Sequence, residues 1–298
     1  MTQTGTAGPF RTEALAPGIY FVATPIGTAR DITLRALDIL ASADVIAAED
    51  TRTTRHLMEL HGVPLRGRPM IAYHDHNGAA QRPKLLRLVE EGQSVAYASE
   101  AGTPLVADPG FQLGREATAR GLNVTCAPGP SAVLVALTLS GLPSDRFLFA
   151  GFPPAGGGAR RTWLQGLAGV EATLVIFESP KRVSRLLGEM ADTLGQERQA
   201  AVCRELTKRF EEVVRGSLSD LARRFDGTAP KGEIVVVIDR AGGPIAPGPE
   251  ELETAIRAAM ERLPTKAAAS EVATQFGLKR RDVYQAALGF RMEGDEEE

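Results

Sequence analysis

The sequence predicts an α/β fold made of two α/β domains, followed by a small helical piece at the C-terminus. Short apolar runs alternate with helical patterns over the first half of the chain, which is typical of a parallel sheet covered by helices on both faces. The same alternation returns less regularly in the second half. The 298 residues, 43% of them hydrophobic, are enough for two domains with substantial cores.

The first domain, residues 18–138, follows a loose tail at 1–17. Its five predicted strands are the apolar runs at 19–23, 45–48, 70–73, 94–98 and 123–127. A helix is expected at about 32–41 with Asp31 as its N-cap. Thr51 is expected to cap a second helix that runs to His61, and Gly62 stands where a C-terminal glycine belongs. Further helices are expected up to about residue 91 and from about residue 111.

The second domain is assigned to residues 139–240, with the join between the domains at 139–144. Its strand candidates are the runs at 146–150, 173–177, 200–204, 212–215 and 233–238. A linker rich in Gly and Pro follows at 241–249. Residues 250–291 are predicted to be a helical piece that belongs to neither α/β pattern. The acidic tail at 292–298 is expected to be disordered.

The composition excludes several classes of protein. A net charge of -3 is incompatible with coating nucleic acid or an anionic membrane through bulk charge, so any RNA contact needs a local basic patch. Cys126 and Cys203 are far apart and lack metal-ligand spacing, which fits a reducing cytoplasm. Residues 121–144 carry no charge, but Pro128, Pro130 and Pro143 interrupt them, so no membrane span is predicted.

Five loops with Pro, Gly or small polar residues each follow a predicted strand. They are Thr24-Pro25-Ile26-Gly27, residues 99–110, Pro128-Gly129-Pro130-Ser131-Ala132, Gly151-Phe152-Pro153-Pro154 and Glu178-Ser179-Pro180. Loops at the carboxyl edge of a sheet are where open α/β folds bind ligands, so these loops are expected to line a pocket between the domains. They offer backbone amides, hydroxyls and small side chains, which suit a ligand with ribose, adenine and amino-acid parts. With no Gly-x-Gly-x-x-Gly and no Walker loop, a dinucleotide or nucleoside triphosphate is not expected.

These loops belong to a longer series of motifs in order along residues 18–240. The further members are Ala47-Ala48-Glu49-Asp50-Thr51-Arg52, His74-Asp75-His76-Asn77, Asp108-Pro109-Gly110, Gly141-Leu142-Pro143-Ser144-Asp145-Arg146-Phe147, Arg204-Glu205-Leu206-Thr207-Lys208 and Lys231-Gly232-Glu233. With this series the chain resembles the tetrapyrrole-methylase superfamily and, within it, the ribosomal RNA small-subunit methyltransferase I family. The runs at 47–52 and 74–77 are the most specific to that family.

The resemblance implies that S-adenosylmethionine binds in the cleft between the two domains. It further implies methyl transfer to the ribose 2′-hydroxyl of a cytidine in the decoding region of small-subunit (16S) ribosomal RNA, either as naked RNA or in the assembled 30S subunit. A homodimer is implied as well. The residues expected to contact the donor are Pro25, Ser99, Glu100, Ala101, Gly102, Thr103, Val106, Ser131, Ala132, Phe177, Glu178, Gly232 and Glu233.

A ribose hydroxyl is a weak acid, so a general base is expected to assist the transfer. The candidates are Glu49, Asp50, His74, Asp75 and His76. Asp50, His74 and His76 are favoured as catalytic residues because both of their runs end predicted strands beside the donor loop. Lys208 is expected to contact RNA, where it would steady an oxyanion or a phosphate.

Each of these assignments has a structural alternative. Glu49 or Asp50 would also favour the N-terminus of the helix that follows. The spacing His74-x-His76 suggests a metal site, but the usual set of ligands is absent, so no metal is predicted. Arg52 and Arg55 are assigned to RNA phosphate, and the alternative is a solvated helix face.

The helical piece contains a local basic patch, which a chain of negative net charge needs in order to contact RNA. Ala273, Gly277 and Val283 occupy the small, turn and apolar positions of a helix-turn-helix. The cations Lys279, Arg280 and Arg281 cluster at the start of its second helix, and Lys266 adds to them from the first helix. These four residues are predicted to bind RNA. The alternative is a plain helical hairpin packed on the second domain.

Two other functions remain as alternatives. One is a methyltransferase acting on a small tetrapyrrole, which would need neither the basic hairpin nor the Glu-Asp-Thr-Arg run. The other is a non-enzymatic nucleic-acid binder built around the helix-turn-helix, which the pocket-forming loops disfavour. Methyl-donor binding and RNA methylation distinguish the three.

Overall fold

A five-stranded parallel sheet forms the first half of the chain in the computed structural model, which describes residues 10–242, 249–276 and 278–295. Its strands are β1 (Gly18–Val22), β2 (Val45–Ala48), β3 (Met70–Ala72), β4 (Ser94–Ala98) and β5 (Val124–Ala127). They lie in the order β3-β2-β4-β1-β5, and every neighbouring pair is parallel. All five strands that the sequence predicts in this half are confirmed.

Four helices connect these strands: α1 (Leu34–Ser42), α2 (Thr51–Leu60), α3 (Gly78–Glu90) and α4 (Phe111–Ala119). Two apolar clusters, one on each face of the sheet, fix them in place. Both predicted N-caps are wrong by one or two residues. Thr33 caps α1, with its Oγ1 accepting a hydrogen bond from Ala36 N at 3.2 Å, while Asp31 ends a short 3-10 turn. Asp50 caps α2, of which Thr51 is the first residue.

The second sheet is mixed. Its strands are β6 (Phe147–Gly151), β7 (Thr173–Glu178), β8 (Gln199–Arg204), β9 (Glu212–Ser217) and β10 (Ile234–Ile238), in the order β6-β7-β10-β8-β9. Only the β6–β7 pair is parallel. The five strand candidates are confirmed, and the last strand of the chain inserts between two earlier ones.

Helices cover both faces of this second sheet. One face packs against α6 (Gly157–Leu167), α7 (Val183–Leu194) and α8 (Leu218–Phe225). The other face packs against α5 (Ala132–Ser140), where Val133, Ala136 and Leu137 meet apolar side chains of β7, β8 and β10. The domain boundary predicted at residue 139 falls inside α5 and stays a prediction.

Three helices end the chain: α9 (Pro249–Met260), α10 (Thr265–Phe276) and α11 (Arg280–Asp295). They share a core of their own, in which Ala273 and Val283 are buried as the helix-turn-helix pattern requires. Gly277, the predicted turn residue, lies outside the described residues, as do 1–9 of the N-terminal tail, 243–248 of the linker and 296–298 of the acidic tail. Among the described helices, none has the length and apolar character needed to cross a bilayer.

Candidate functional site

The loops that follow the three neighbouring strands β4, β1 and β5 are tied together through their backbones. Thr24 and Gly102 exchange two hydrogen bonds, N to O, at 3.0 and 2.9 Å. The buried Ser99 donates from Oγ to Gly102 O at 2.7 Å, and Thr24 Oγ1 donates to Ser99 O at 3.1 Å. Thr103 Oγ1 donates to Pro130 O at 2.9 Å. We call these three loops, at residues 24–27, 99–104 and 128–131, the floor of the site.

Two glycines of the 99–110 loop are needed for different physical reasons. Gly102 has φ +84°, a left-handed conformation that costs other residues about 1–2 kcal/mol. Gly110 has an ordinary negative φ, but a Cβ there would lie 2.7 Å from the ring of Tyr97 and from Oδ1 of Asp108. The sequence therefore places Gly at two points of this loop where a side chain would strain the backbone or clash with its neighbours.

A cavity of about 390 Å³ lies between the floor and the second sheet. A smaller space of about 40 Å³ shares four of its lining residues and runs along the 101–106 loop. Ten of the thirteen residues predicted to contact the donor line these two spaces. They are Ala101, Gly102, Thr103, Val106, Ser131, Ala132, Phe177, Glu178, Gly232 and Glu233.

The other three predicted donor residues do not line the cavity. Ser99 is buried beneath the floor, and its hydroxyl holds the loop rather than facing the space. The Glu100 side chain is exposed, and its backbone N–H donates to Glu49 Oε2 at 3.0 Å. Pro25 is half-buried in the floor beside Ile26.

Six residues that line the larger cavity were not among the predicted contacts, although five of them adjoin or belong to motifs that the sequence marks, and Val133 is a seventh in the smaller space. The six are Ile26, Phe152, Ser179, Pro180, Ile234 and Val235. Most are apolar side chains that carry no chemical signature of their own. Only their position in or beside the Pro-Ile-Gly, Gly-Phe-Pro-Pro, Glu-Ser-Pro and Lys-Gly-Glu runs indicates them.

The far wall of the cavity combines aromatic rings with two carboxylates. Phe152 and Phe177 meet edge to face with ring centroids 5.5 Å apart. Glu178 is buried, and its Oε1 accepts a hydrogen bond from Ser179 N at 2.7 Å. Its Oε2 lies 3.2 Å from Arg182 Nη2, a contact between charges that is not aligned as a hydrogen bond. Glu233 supplies the second carboxylate. The wall therefore suits a ligand with a flat apolar ring and a positive charge.

Two arginines hold the loop that carries Phe152. Arg160 is almost fully buried, and its Nη1 donates to Pro154 O and Ala155 O at 3.2 and 2.9 Å. Arg182 Nη2 donates to Pro153 O at 2.8 Å. Glu189 pairs with Arg160, whose hydrogen bond is the main reason that the pKa of Glu189 falls to about 2. Three consecutive carbonyls are thus fixed from behind the cavity wall.

The floor and the second sheet are joined directly at residues 28 and 207. Thr28 N donates to Thr207 Oγ1 at 3.2 Å, and Thr28 Oγ1 donates to Thr207 O. Thr207 has φ +63°, which is unusual for a β-branched residue and is held by these contacts. Next to it, Lys208 Nζ pairs with Glu205 at 2.9 Å and Glu233 at 3.1 Å. The Lys208 ammonium is thus engaged with carboxylates at the cavity edge, and its contact with RNA stays a prediction.

Asp50 occupies the N-terminus of α2. Its Oδ1 accepts hydrogen bonds from the backbone N–H groups of Arg52 and Thr53 at 2.7 and 3.3 Å, and its Oδ2 lies 3.0 Å from Arg52 Nη2. The hydrogen bond from the Arg52 side chain, followed by those from the two amides, lowers the pKa of Asp50 to about 2. This is the helix-capping alternative considered for the sequence.

Its neighbour Glu49 is partly buried and faces the floor, where its Oε2 accepts the Glu100 N–H. Burial raises the pKa of Glu49, the Glu100 N–H lowers it, and the nearby Asp108, Glu100 and Asp75 carboxylates raise it further, so that the net shift is upward. Two adjacent carboxylates thus have opposite surroundings, one charged and capping a helix, the other crowded by like charges.

The His-Asp-His-Asn run follows β3 at the edge of the same sheet. His74 N donates to Asn77 Oδ1 at 2.9 Å, which fixes the turn. The ring of His74 is partly buried, and its Nδ1 has no hydrogen-bond partner among the described residues. The exposed His76 ring meets it edge-on at 6.0 Å. Within the described parts of the chain, no three His, Cys, Asp or Glu side chains are grouped so that they could hold a metal ion.

The residues predicted to bind RNA fall in two places apart from Lys208. Arg52 and Arg55 are exposed one turn apart on α2, where Arg52 is paired with Asp50. The other group lies on the C-terminal helices, where Lys266, Arg280 and Arg281 line a cavity of about 420 Å³ together with Tyr284. The exposed Lys279 precedes them immediately.

Comparison with known proteins agrees with this arrangement. The family model Tetrapyrrole (Corrin/Porphyrin) Methylases matches residues 18–222. The chain belongs to this family. A second model, the RsmI C-terminal HTH domain, matches residues 246–291. S-adenosylmethionine, the cofactor expected from the sequence, is the methyl donor of this family. The aromatic rings and two carboxylates of the cavity wall fit its adenine and its positively charged groups.

Several relatives cover nearly the whole chain, and all are named ribosomal RNA small subunit methyltransferase I. The protein from Mesorhizobium japonicum is 48% identical over 92% of each chain. That from Mycobacterium tuberculosis is 43% identical over 91% of this chain and 94% of the relative. The Haemophilus influenzae protein is 38% identical over 91% and 96%. The chain is therefore a member of the ribosomal RNA small subunit methyltransferase I family.

Solved structures show the same fold at low identity. Cobalt precorrin-4 methyltransferase CbiF superposes with a TM-score of 0.55 at 18% identity, covering 74% of this chain and 94% of that one. A conserved hypothetical protein of Aeropyrum pernix K1 superposes with a TM-score of 0.58 at 19% identity, covering 94% and 98%. These likenesses establish the two-sheet architecture.

Proposed function

We propose that this chain transfers a methyl group from S-adenosylmethionine to the ribose 2′-hydroxyl of a cytidine in the decoding region of small-subunit ribosomal RNA. The observation that carries the proposal is the 48% identity, over 92% of both chains, to a relative named for methylation of small-subunit ribosomal RNA. The ribose, the cytidine and the decoding region follow from the family resemblance of the motifs at 47–52 and 74–77. A cavity suited to the donor and exposed basic side chains on two helices support it.

The donor supplies an electrophilic methyl group on a positively charged sulfur. Phe152, Phe177 and Ile26 would hold its adenosine, and the carboxylates of Glu178 and Glu233 would favour its positive charges. The hydrogen-bonded floor keeps this space preformed. Positioning of the acceptor against it then supplies much of the rate acceleration.

The acceptor hydroxyl must lose its proton as the new bond forms. We assign the base to the partly buried ring of His74 and keep the exposed His76, which meets it edge-on, as its neighbour on the RNA side. Because Nδ1 of His74 is buried and without a hydrogen-bond partner among the described residues, Nε2 would be the nitrogen that takes the proton. Asp50 suits this role poorly, because its carboxylate already caps α2 and stays charged down to a pH of about 2. Its part in the proposed site is to orient α2, which carries Arg52 and Arg55 toward RNA phosphate.

The proposal includes a homodimer acting in the cytoplasm. The edge strand β6 supports self-association, because its Phe147 and Leu148 are exposed by 41% and 38%. An edge strand with exposed apolar side chains offers a template on which another chain can pair. Light scattering on the purified chain tests this: a mass near twice 31.7 kDa is expected, and a monomer would contradict it.

The deciding experiment measures transfer of labelled methyl from S-adenosylmethionine to small subunits that lack the modification, and to naked 16S RNA, followed by mapping of the label. Label on the ribose of a decoding-region cytidine is expected. Ala132→Trp, which fills the cavity, serves as the control and should abolish both donor binding and labelling. Donor binding without RNA labelling would refute the proposal and favour a tetrapyrrole substrate.

A further inference from the structure

The cavity between α10 and α11 differs in chemistry from the rest of the C-terminal helices. Lys266 enters it from the first turn of α10, and Arg280, Arg281 and Tyr284 from the first turns of α11. We call this cavity the basic notch. It is an open depression of about 420 Å³, and three of its four lining residues are exposed cations.

The cations of the notch are paired weakly or not at all, whereas an arginine of α9 and another in the loop between α9 and α10 form close ion pairs. Arg257 pairs with Glu253 at 2.9 Å and Arg262 with Glu271 at 2.8 Å. Among the described residues, Lys266 and Arg280 have no carboxylate within 4.0 Å, and Arg281 has only the exposed Asp282 at 3.8 Å. No carboxylate of the residues that the structure describes lines the notch. In a chain with a net charge of -3, three cations around one cavity favour an anion locally.

Tyr284 adds an aromatic surface to these cations. Its ring is half-buried and packs against the apolar core of the three helices, beside the fully buried Val283. Because that core fixes α10 and α11 relative to each other, the ring and the helix positions that carry the exposed cations are held in place without a ligand. A fixed aromatic ring among cations is the combination that proteins use to stack an unpaired base and neutralise its phosphates.

We propose that the basic notch binds one unpaired nucleotide of single-stranded RNA, with its base on Tyr284 and its phosphates on Lys266, Arg280 and Arg281. A duplex would use the cations but not the ring, because its bases are stacked on one another. The inference rests on the proposed action on ribosomal RNA and adds the place where an unpaired nucleotide of that RNA docks.

The test measures binding of the full chain to a fluorescently labelled single-stranded oligoribonucleotide of ten residues, across a series of salt concentrations. In the double variant Lys266→Ala/Arg280→Ala, the slope of log affinity against log salt is expected to become shallower by about 1.4, the value for two lost phosphate contacts. Arg280→Ala alone should weaken binding clearly more than Arg262→Ala. The latter is the matched control, because it removes a paired arginine from the loop that leads into α10.

The aromatic part has its own variants. Tyr284→Leu keeps apolar bulk in the core and should weaken binding about 5-fold or more at unchanged salt slope, while Tyr284→Phe should stay within about 2-fold. Donor affinity, measured by calorimetry, should be unchanged in every variant, and far-ultraviolet circular dichroism should show that the C-terminal helices, which have a core of their own, remain folded. An RNA duplex of equal charge and a polyglutamate peptide should both bind more weakly than the single strand.

Several results would overturn the notch as a nucleotide site. They are equal losses in Arg280→Ala and Arg262→Ala, no effect of Tyr284→Leu, duplex or polyglutamate binding as tight as the single strand, or no binding of the oligoribonucleotide by the unaltered chain. These measurements involve no methyl transfer. If the binding results are as expected but ribosomal subunits are not labelled, the nucleotide site is supported and the proposed RNA substrate is refuted. If subunits are labelled but the binding results fail, only the nucleotide site is refuted.

Discussion

The carboxyl edge of the first sheet is built in two different ways. Behind the neighbouring strands β4, β1 and β5, backbone groups and buried hydroxyls bond to one another, as in the Thr24–Gly102 pair and the Ser99–Gly102 bond. Behind β2 and β3, on the other side of the sheet, exposed or partly buried side chains carry the chemistry, among them Glu49, His74 and His76. One half of the edge is a preformed floor, and the other half is a rim of titratable groups.

This difference separates two tasks of a methyl transfer. A donor with a fixed shape needs a rigid cradle, which backbone hydrogen bonds provide at little cost in side-chain entropy. An acceptor that must lose a proton needs groups that can change charge, which only side chains provide. Substitutions in the floor should therefore change donor affinity, whereas substitutions in the rim should change the rate and leave donor affinity intact.

The largest expected effect concerns His74. If it is the base, His74→Ala should lower kcat about 100-fold or more, the usual contribution of a positioned proton acceptor, with donor Kd unchanged. Single-turnover methylation and calorimetry measure the two quantities. His76→Ala, which removes the neighbouring exposed ring, is the matched comparison and should lower kcat much less. A higher donor Kd in His74→Ala would contradict the claim that the floor governs donor binding and the rim governs the rate.

The next effect concerns Gly102. Alanine there is strained by about 1–2 kcal/mol at φ +84°, and its Cβ would lie 3.2 Å from Ile26 Cγ2 in the cavity wall. Gly102→Ala should therefore weaken donor binding about 10-fold. Gly62→Ala carries the same kind of strain at φ +68°, but no atom lies within 4 Å of the new Cβ. It should lower the free energy of unfolding similarly without changing donor Kd. Equal donor affinities in the two variants would contradict a rigid floor.

A smaller effect is expected at Ser99. Ser99→Ala removes the bond to Gly102 O and should cost about 1 kcal/mol of stability, together with a several-fold loss of donor affinity. Ser140, equally buried, donates to Leu137 O at 2.8 Å away from the cavity. Ser140→Ala should cost similar stability in thermal melts and leave donor binding as it is. A similar loss of donor affinity in Ser99→Ala and Ser140→Ala would indicate that lower stability of the whole fold, and not the floor, weakens donor binding.

The smallest effect is expected at Asp50. Asn caps helices as well as Asp does, so Asp50→Asn should retain both kcat and donor Kd, while Asp50→Ala should lower Tm by about 2–4 °C. The pKa of Asp50 is lowered to about 2, so its stabilising contribution is complete above its ordinary pKa near 4 and is lost as pH falls toward 2. Melting curves of Asp50→Ala should accordingly converge with those of the unaltered chain in that window. A large loss of kcat in Asp50→Asn would return Asp50 to the candidate bases.

The floor was more predictable from sequence than the rim. Apolar runs mark the ten strands, and Pro and Gly mark the floor loops behind β1, β4 and β5, because only certain residues tolerate tight turns and close contact. The bond between Thr24 and Gly102 was not predictable, since it joins residues far apart in the chain. Neither was the insertion of β10 between β7 and β8, since strand order depends on long-range packing.

In the rim, sequence patterns did not predict the role of each side chain. Glu49 and Asp50 are adjacent carboxylates, yet one faces like charges and the other caps a helix, a difference decided by one residue in the position of the helix start. Ile26 and Phe152 line the cavity but, as apolar side chains, resemble any core residue. Their roles depend on which surface the fold leaves uncovered.

The contact between Thr28 and Thr207 joins the two halves of the chain, so it can form only after residue 207 has been synthesised. All five strands of the first sheet lie before residue 128, so that sheet can form while the rest of the chain is still being synthesised. The cavity cannot form at that stage, because its far wall includes Phe177, Gly232 and Glu233. A nascent chain thus acquires the ability to capture its cofactor only in one late step. From that moment, ligand binding stabilises the finished two-sheet protein and none of its partly synthesised precursors.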